Sequence, residues 1–180
     1  MKFSPPPVKP ITAADCIERA QAPAPALRRR MAAFLYEGVV LFGVLMVVGF
    51  IFAVSTDQRH ALQYRFGLMA TLFLVLALYF IWFWTHGGQT LAMKTWHLRL
   101  VSAQGGPLSP KQALARYMTS WLWFVPALAA AWLLGWHQSK LLYGALFAWI
   151  LIYALISALL PKHQFAHDTL CGTRLIDNRG

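Results

Sequence analysis

Charge is what this sequence has least of. Only 12% of its 180 residues are charged, where a soluble domain carries about 25%. With 58% hydrophobic residues, the chain has too little polar surface to stay dissolved, and one membrane domain is expected. Acids are scarcer than bases, six against 16, for a net charge of +10. Such an excess suits nucleic acid. In so apolar a chain the simpler account is anchoring by Lys and Arg beside anionic lipid headgroups, so no nucleic-acid partner is expected. Cysteine is nearly missing. Cys16 and Cys171 have no metal-type spacing, and both are expected on the cytoplasmic side, where thiols stay reduced. Also missing are a paired nucleophile and base, a P-loop and a Rossmann glycine pattern. No enzyme activity and no cofactor are therefore expected.

What is present is four apolar runs, near 31–54, 66–84, 117–136 and 141–160. Each has about the 20 residues that cross a bilayer core. The first is longer than the apolar core of a signal peptide and has no convincing small-residue cleavage site, so it is expected to stay as an anchor. Trp82, Trp84, Trp121, Trp123 and Trp136 lie toward run ends, as interfacial aromatics do, and Pro126 is expected to kink the third run. Gly38, Gly43 and Gly49 permit close helix packing along the first. Residues 1–27, rich in Pro and Ala, read as a flexible or polyproline-type cytoplasmic tail, with at most a short helical turn within 11–20. Residues 177–180 form a second tail.

Orientation follows from the basic residues. The two ends and the 85–116 loop hold 13 Lys and Arg, and the other two loops hold 3, which favours N-in, C-in topology. The 85–116 loop carries the most pattern. Gly88 breaks the second helix, and Thr90 is placed to cap a short helix through Lys94. Leu98-Arg99-Leu100-Val101, followed by Gly105-Gly106-Pro107, reads as a β-hairpin with a Gly turn. Arg174-Leu175-Ile176 offers a third strand. Ser109-Pro110 opens the next helix. The fold class expected is an all-α membrane protein with four transmembrane helices and a small cytoplasmic β-hairpin between the second and third.

Polar residues inside these runs are few enough to name. Glu37 is the only charged residue between Met31 and Val54. An acid in hydrocarbon must be paired, neutralised or reached by water. Arg30 lies two helical turns before it, so Arg116, at the start of the third run, is the better-placed partner. Asp168, just after the fourth run, is placed to pair with Arg30 or Lys94. A cytoplasmic cluster of Arg30, Glu37, Arg116 and Asp168 is the expectation. His163 and His167 have a metal-compatible spacing on one helical face, but a third ligand is not evident, and no metal is expected.

Three blocks of this chain resemble the RDD family of membrane proteins, named for an Arg and two Asp. Arg30-x-x-Ala33-x-x-x-Glu37 is similar to its first-helix pattern. Gly88-Gln89-Thr90-Leu91-Ala92-Met93-Lys94 with Leu98–Val101 and Gly105–Ser109 is similar to its central block. His167-Asp168-Thr169-Leu170-Cys171-Gly172-Thr173-Arg174 is similar to its terminal block. The resemblance covers about 28–176 and assigns Arg30 as the family Arg, Glu37 as the first acid and Asp168 as the second. It departs in having Glu for the first Asp and Ala92 where glycine is usual. It implies a multi-pass protein of a bacterial inner membrane, for which cation/proton exchange has been proposed in some members. Two readings stand side by side: a small transporter or transporter component for a cation, proton or small solute, acting as an oligomer, and a non-catalytic scaffold or assembly factor that holds other membrane proteins.

Overall fold

The computed structural model describes residues 12–57, 64–136 and 138–179. Most of the first Pro-rich stretch, and Lys2, Lys9 and Arg59 from the charge tally, lie outside the described residues. The rest of the tail is more ordered than expected. Thr12 and Asp15 cap each other's backbone N–H groups, at 3.2 and 2.8 Å, and open a nine-residue helix, α1 (Ala13–Gln21).

Among the described residues three helices are long and apolar enough to cross a membrane: α2 (Leu27–Ser55), α3 (Arg65–Thr85) and α7 (Ser139–Ile156). They correspond to the first, second and fourth runs. Large apolar side chains such as Leu35, Phe42, Phe50 and Phe66 stand exposed along them, as they must to face lipid. A Cβ built on Gly38, Gly43 or Gly49 meets nothing within 4 Å, so the expected close packing at those glycines is not made within the chain.

The third run is a correction. It is not one helix but two, α5 (Pro110–Ser120) and α6 (Val125–Leu133), joined by a 3-10 turn at Trp121–Trp123. Pro126 explains the break. Its ring leaves no room for a continuous turn against the carbonyl four residues back, and it has no N–H to bond there. That carbonyl, Leu122 O, instead accepts from the Trp149 indole of α7 at 2.9 Å. Gly135, at φ +65°, then ends α6, with Trp136 N bonded to Ala131 O at 2.9 Å. Nine residues rise about 13 Å, well short of a bilayer core. Of the four runs expected to span, three are membrane-length helices, and the third, where a kink at Pro126 was expected, is this interrupted segment.

The expected hairpin is also corrected. Its first strand forms as β1 (Leu98–Ser102), but its partner is the C-terminal β2 (Thr173–Asp177), antiparallel, with Leu100 opposite Leu175. The edge a hairpin strand needs is already occupied. Leu100 N bonds Gly88 O at 2.8 Å, Gln89 Nε2 bonds Leu98 O at 2.6 Å, and Ser102 N bonds Gly106 O at 2.9 Å. Two short helices complete the fold. Thr90 caps α4 (Leu91–Thr95), whose Ala92 is fully buried, and α8 (Ala166–Leu170) leads into β2. One apolar core joins α3, α4, β1 and α5 around Trp84, Leu98, Leu100 and Tyr117; a second gathers Trp123, Tyr153 and Phe165.

Candidate functional site

The four residues expected to cluster do not pair as expected, and of them Arg116 and Asp168 are the two bonded to each other. Arg116 of α5 reaches Asp168 of α8: Nε donates to Oδ1 at 2.7 Å. Its guanidinium lies over the Trp84 ring at 4.2 Å. Thr173 Oγ1 adds a bond to the same oxygen at 3.1 Å, which ties α8 to the start of β2. Asp168 is fully buried, and its Oδ2 has no partner among the described residues. Burial alone would raise its pKa; the adjacent Arg116 charge, His167 and the hydrogen bonds outweigh it and hold the carboxyl below its ordinary range.

His167, next in chain, packs under the same pair. Its Nδ1 lies 2.8 Å from the Tyr153 hydroxyl, which also accepts from His167 N at 3.1 Å. Burial pulls its pKa from 6.5 to about 4, so the ring is neutral at neutral pH. His163, four residues earlier, does not join it. It is exposed, with Nδ1 3.0 Å from Ala158 O. Among the described residues no three His, Cys, Asp or Glu side chains are placed to hold a metal ion.

Glu37 is not met by Arg116. Its Oε1 accepts from the Tyr79 hydroxyl of α3 at 2.7 Å, and its Oε2 from the hydroxyl of Thr90. Thr90 thus serves twice, as cap of α4 and as donor to the acid. Arg30 meets neither acid directly. It donates to His163 O at 2.8 Å and Ser157 Oγ at 3.3 Å, with its guanidinium 4.4 Å over Phe165. It therefore clamps the end of α7 to α2. Lys94 is exposed and not a partner of the buried Asp168. In the loop block, Gly88 (φ +71°) and Gly105 (φ +83°) sit where no side chain fits. A Cβ would lie 2.3 Å from Leu100 O and 1.9 Å from Cys16 O respectively. Gly106 has ordinary space.

A cavity of about 350 Å³ lies between α2, α3 and α5. Arg30, Glu37, Arg116 and His167 line it, with Trp84 and Trp121. Sequence reasoning missed Tyr79, although a tyrosine inside an apolar span needs a partner for its hydroxyl. It also missed Arg29, which pairs with Asp177 and so ties α2 to β2. Only the isolated acid near the C-terminus signalled it.

The model of the RDD family matches residues 24–172. This chain belongs to the RDD family. No curated protein and no solved structure matches it. The match takes in Arg30, Glu37, Arg116 and Asp168 and ends at the start of β2. Membership together with three membrane-length apolar helices makes this RDD chain a multi-pass membrane protein.

Proposed function

We propose that this RDD protein is a small inner-membrane transporter or transporter subunit for a proton or cation, with N-in, C-in topology, and that Glu37 is the group that binds and releases the ion. One observation carries the reading: Glu37 lies within a membrane-length helix, at a cavity wall, and is bonded to two hydroxyls rather than to a guanidinium. Protonating an acid that is locked to a buried arginine strands a charge. Protonating Glu37 strands none, because Tyr79 and Thr90 are neutral. Arg30 and Arg116 on the same wall tune its charge. Three spans and an interrupted segment enclose little space for a private pathway, so the protein acts as an oligomer. It performs no bond chemistry.

The test is flux in liposomes holding the purified protein, driven by a pH or cation gradient. Wild type is expected to dissipate the gradient and Glu37→Gln to lose that flux while keeping its fold and oligomeric state. Wild type that moves no ion under any gradient overturns the reading for the ions tried. A scaffold role has its own support. Arg116–Asp168, Arg29–Asp177 and the Arg30 clamp all pin the C-terminal segment to the bundle. Gln164 adds a pair of bonds to the Leu175 backbone, at 2.9 and 3.1 Å. Flux-inactive protein that still co-purifies with a membrane complex would favour this second role.

A further inference from the structure

A second cavity, of about 710 Å³, opens on the other side of Arg30. Residues 22–26 form one wall, and the start of α2 and the segment after α7 form the others. Its polar lining is one-signed. Arg30, Lys162, His163 and Arg174 face it with Gln21 and Ser157, and no acid is among the described residues that line it. Asp168, whose charge acts on Arg30, is bonded to Arg116 and does not line this groove. Asp177 is bonded to Arg29 and Arg179.

The two arginines are buried, at 5% and 6% exposure. Arg174 donates to Ala22 O through Nη2 at 3.0 Å, and its Nε and Nη1 have no acceptor among the described residues. Arg30 Nε has none either. Buried polar groups are nearly always bonded, and these three nitrogens, covered by protein in this structure, belong to two arginines that line the groove, so an acceptor with several oxygens satisfies them once the side chains turn toward it. A carboxylate brings two oxygens and a phosphate three or four. Lys162 and His163, both exposed, stand at the mouth. The groove also sits at the right level. Leu27 begins one membrane-length helix and Ser157 follows the end of another, so it lies where a bilayer holds its phosphates.

We propose that this groove is a phosphate site, in which Arg30 and Arg174 bind the oxygens of a phosphate ester and Lys162 guides it in. The site narrows the general attraction of a basic protein for anionic lipid to one place, and it does not rest on ion transport at Glu37. The phosphate comes from a lipid headgroup or from a soluble phosphate compound, and the probes separate these.

The full chain in a neutral detergent is titrated with dioctanoyl phosphatidylglycerol, dioctanoyl phosphatidylcholine and inorganic phosphate, with binding read by calorimetry. Saturable binding of phosphatidylglycerol well above that of inorganic phosphate identifies a lipid headgroup. Equal or tighter binding of inorganic phosphate identifies a soluble source. In either case Arg174→Gln and Lys162→Gln are expected to weaken the tighter ligand, the first by about tenfold or more and the second by less. Lys162 is exposed, so its variant folds even if the other does not. The proposal is overturned if none of the probes saturates. It is overturned equally if phosphatidylcholine binds as tightly as phosphatidylglycerol, or if every variant that folds keeps the wild-type affinity. None of these readouts is ion flux, so the site and the transport reading stand or fall separately.

Discussion

Asp168 and Glu37 both feel the charge of Arg116, yet they are held by different chemistry. Asp168 is fully buried and bonded to a guanidinium, which itself is stacked on an indole. Glu37 is half-buried beside a cavity and bonded to two hydroxyls. A buried acid bound to Arg116 cannot change charge without leaving that cation alone in a low-dielectric setting, and so it works as a lock. An acid held by hydroxyls keeps its hydrogen bonds in either charge state, because hydroxyls both donate and accept. The difference separates a group that fixes the fold from one that is free to titrate.

The sharpest way to break this contrast is to remove the lock. Arg116→Ala leaves Asp168 buried without its cation and is expected to cost about 3–5 kcal/mol of stability. Thermal unfolding of the detergent-solubilised protein reads it. Adding Asp168→Asn should restore part of the loss, and adding Glu37→Gln should restore none. Rescue by Glu37→Gln instead would mean that Arg116 answers to the wrong acid in this account.

Acid pH tests the same corner without a substitution. His167 has a folded pKa of about 4, below its ordinary 6.5, so the unfolded chain takes up its proton first. The stability tied to the neutral ring is whole above about pH 6.5 and is lost as pH falls toward 4, roughly 3 kcal/mol in all. Asp168, also depressed, adds its loss only below about pH 4, where the unfolded carboxyl begins to protonate. His167→Gln should flatten the decline between pH 6.5 and 4 and leave the lower one. A decline that persists unchanged in that variant assigns it elsewhere. Arg116, Asp168 and Tyr153 are the charged and titratable groups that face this ring.

On the Glu37 side the acid depends on Thr90, and Thr90 depends on the turn before it. Gly88→Ala puts a methyl against Leu100 O at a backbone angle that L residues avoid, and should cost roughly 1–3 kcal/mol. Gly106→Ala, on the same edge of β1 and with 3.6 Å to Ser102 Oγ, should be near neutral. Equal melting temperatures for the two variants would remove the turn from the account of how Glu37 is held.

Much of this was readable in advance, and what was not has a physical cause. The apolar runs found α2, α3 and α7 within a few residues, because length and hydropathy decide a membrane helix. Pro126 marked a kink in the third run but not its division into two helices, since Pro is tolerated in spans whose neighbours satisfy the freed carbonyl, and Trp149 does so only once α7 is packed. The four cluster residues were identified from their charge alone. Their pairing was not, because depth along one helix says nothing about which face of another it meets. Tyr79 and Thr90 outcompeted Arg116 for Glu37 through contacts 42 and 53 residues away in sequence. The hairpin failed for a similar reason: β1 offered two edges, and a glycine carbonyl took the one that local sequence had reserved for a strand.

A small expected effect is the most informative about Glu37 itself. Glu37→Gln keeps one carbonyl oxygen for Tyr79, and the Thr90 hydroxyl turns to accept from the new amide. Stability should then change by no more than about 1 kcal/mol, the scale of one hydrogen bond. Tyr79→Phe removes a donor from a half-buried carboxylate and should cost slightly more than Glu37→Gln, because the charge remains and loses a partner. The reverse order, with Glu37→Gln as damaging as Arg116→Ala, would make Glu37 a second lock. In that case an acid that cannot shed its charge cheaply could not serve as the carrier of a proton, whatever the liposomes report.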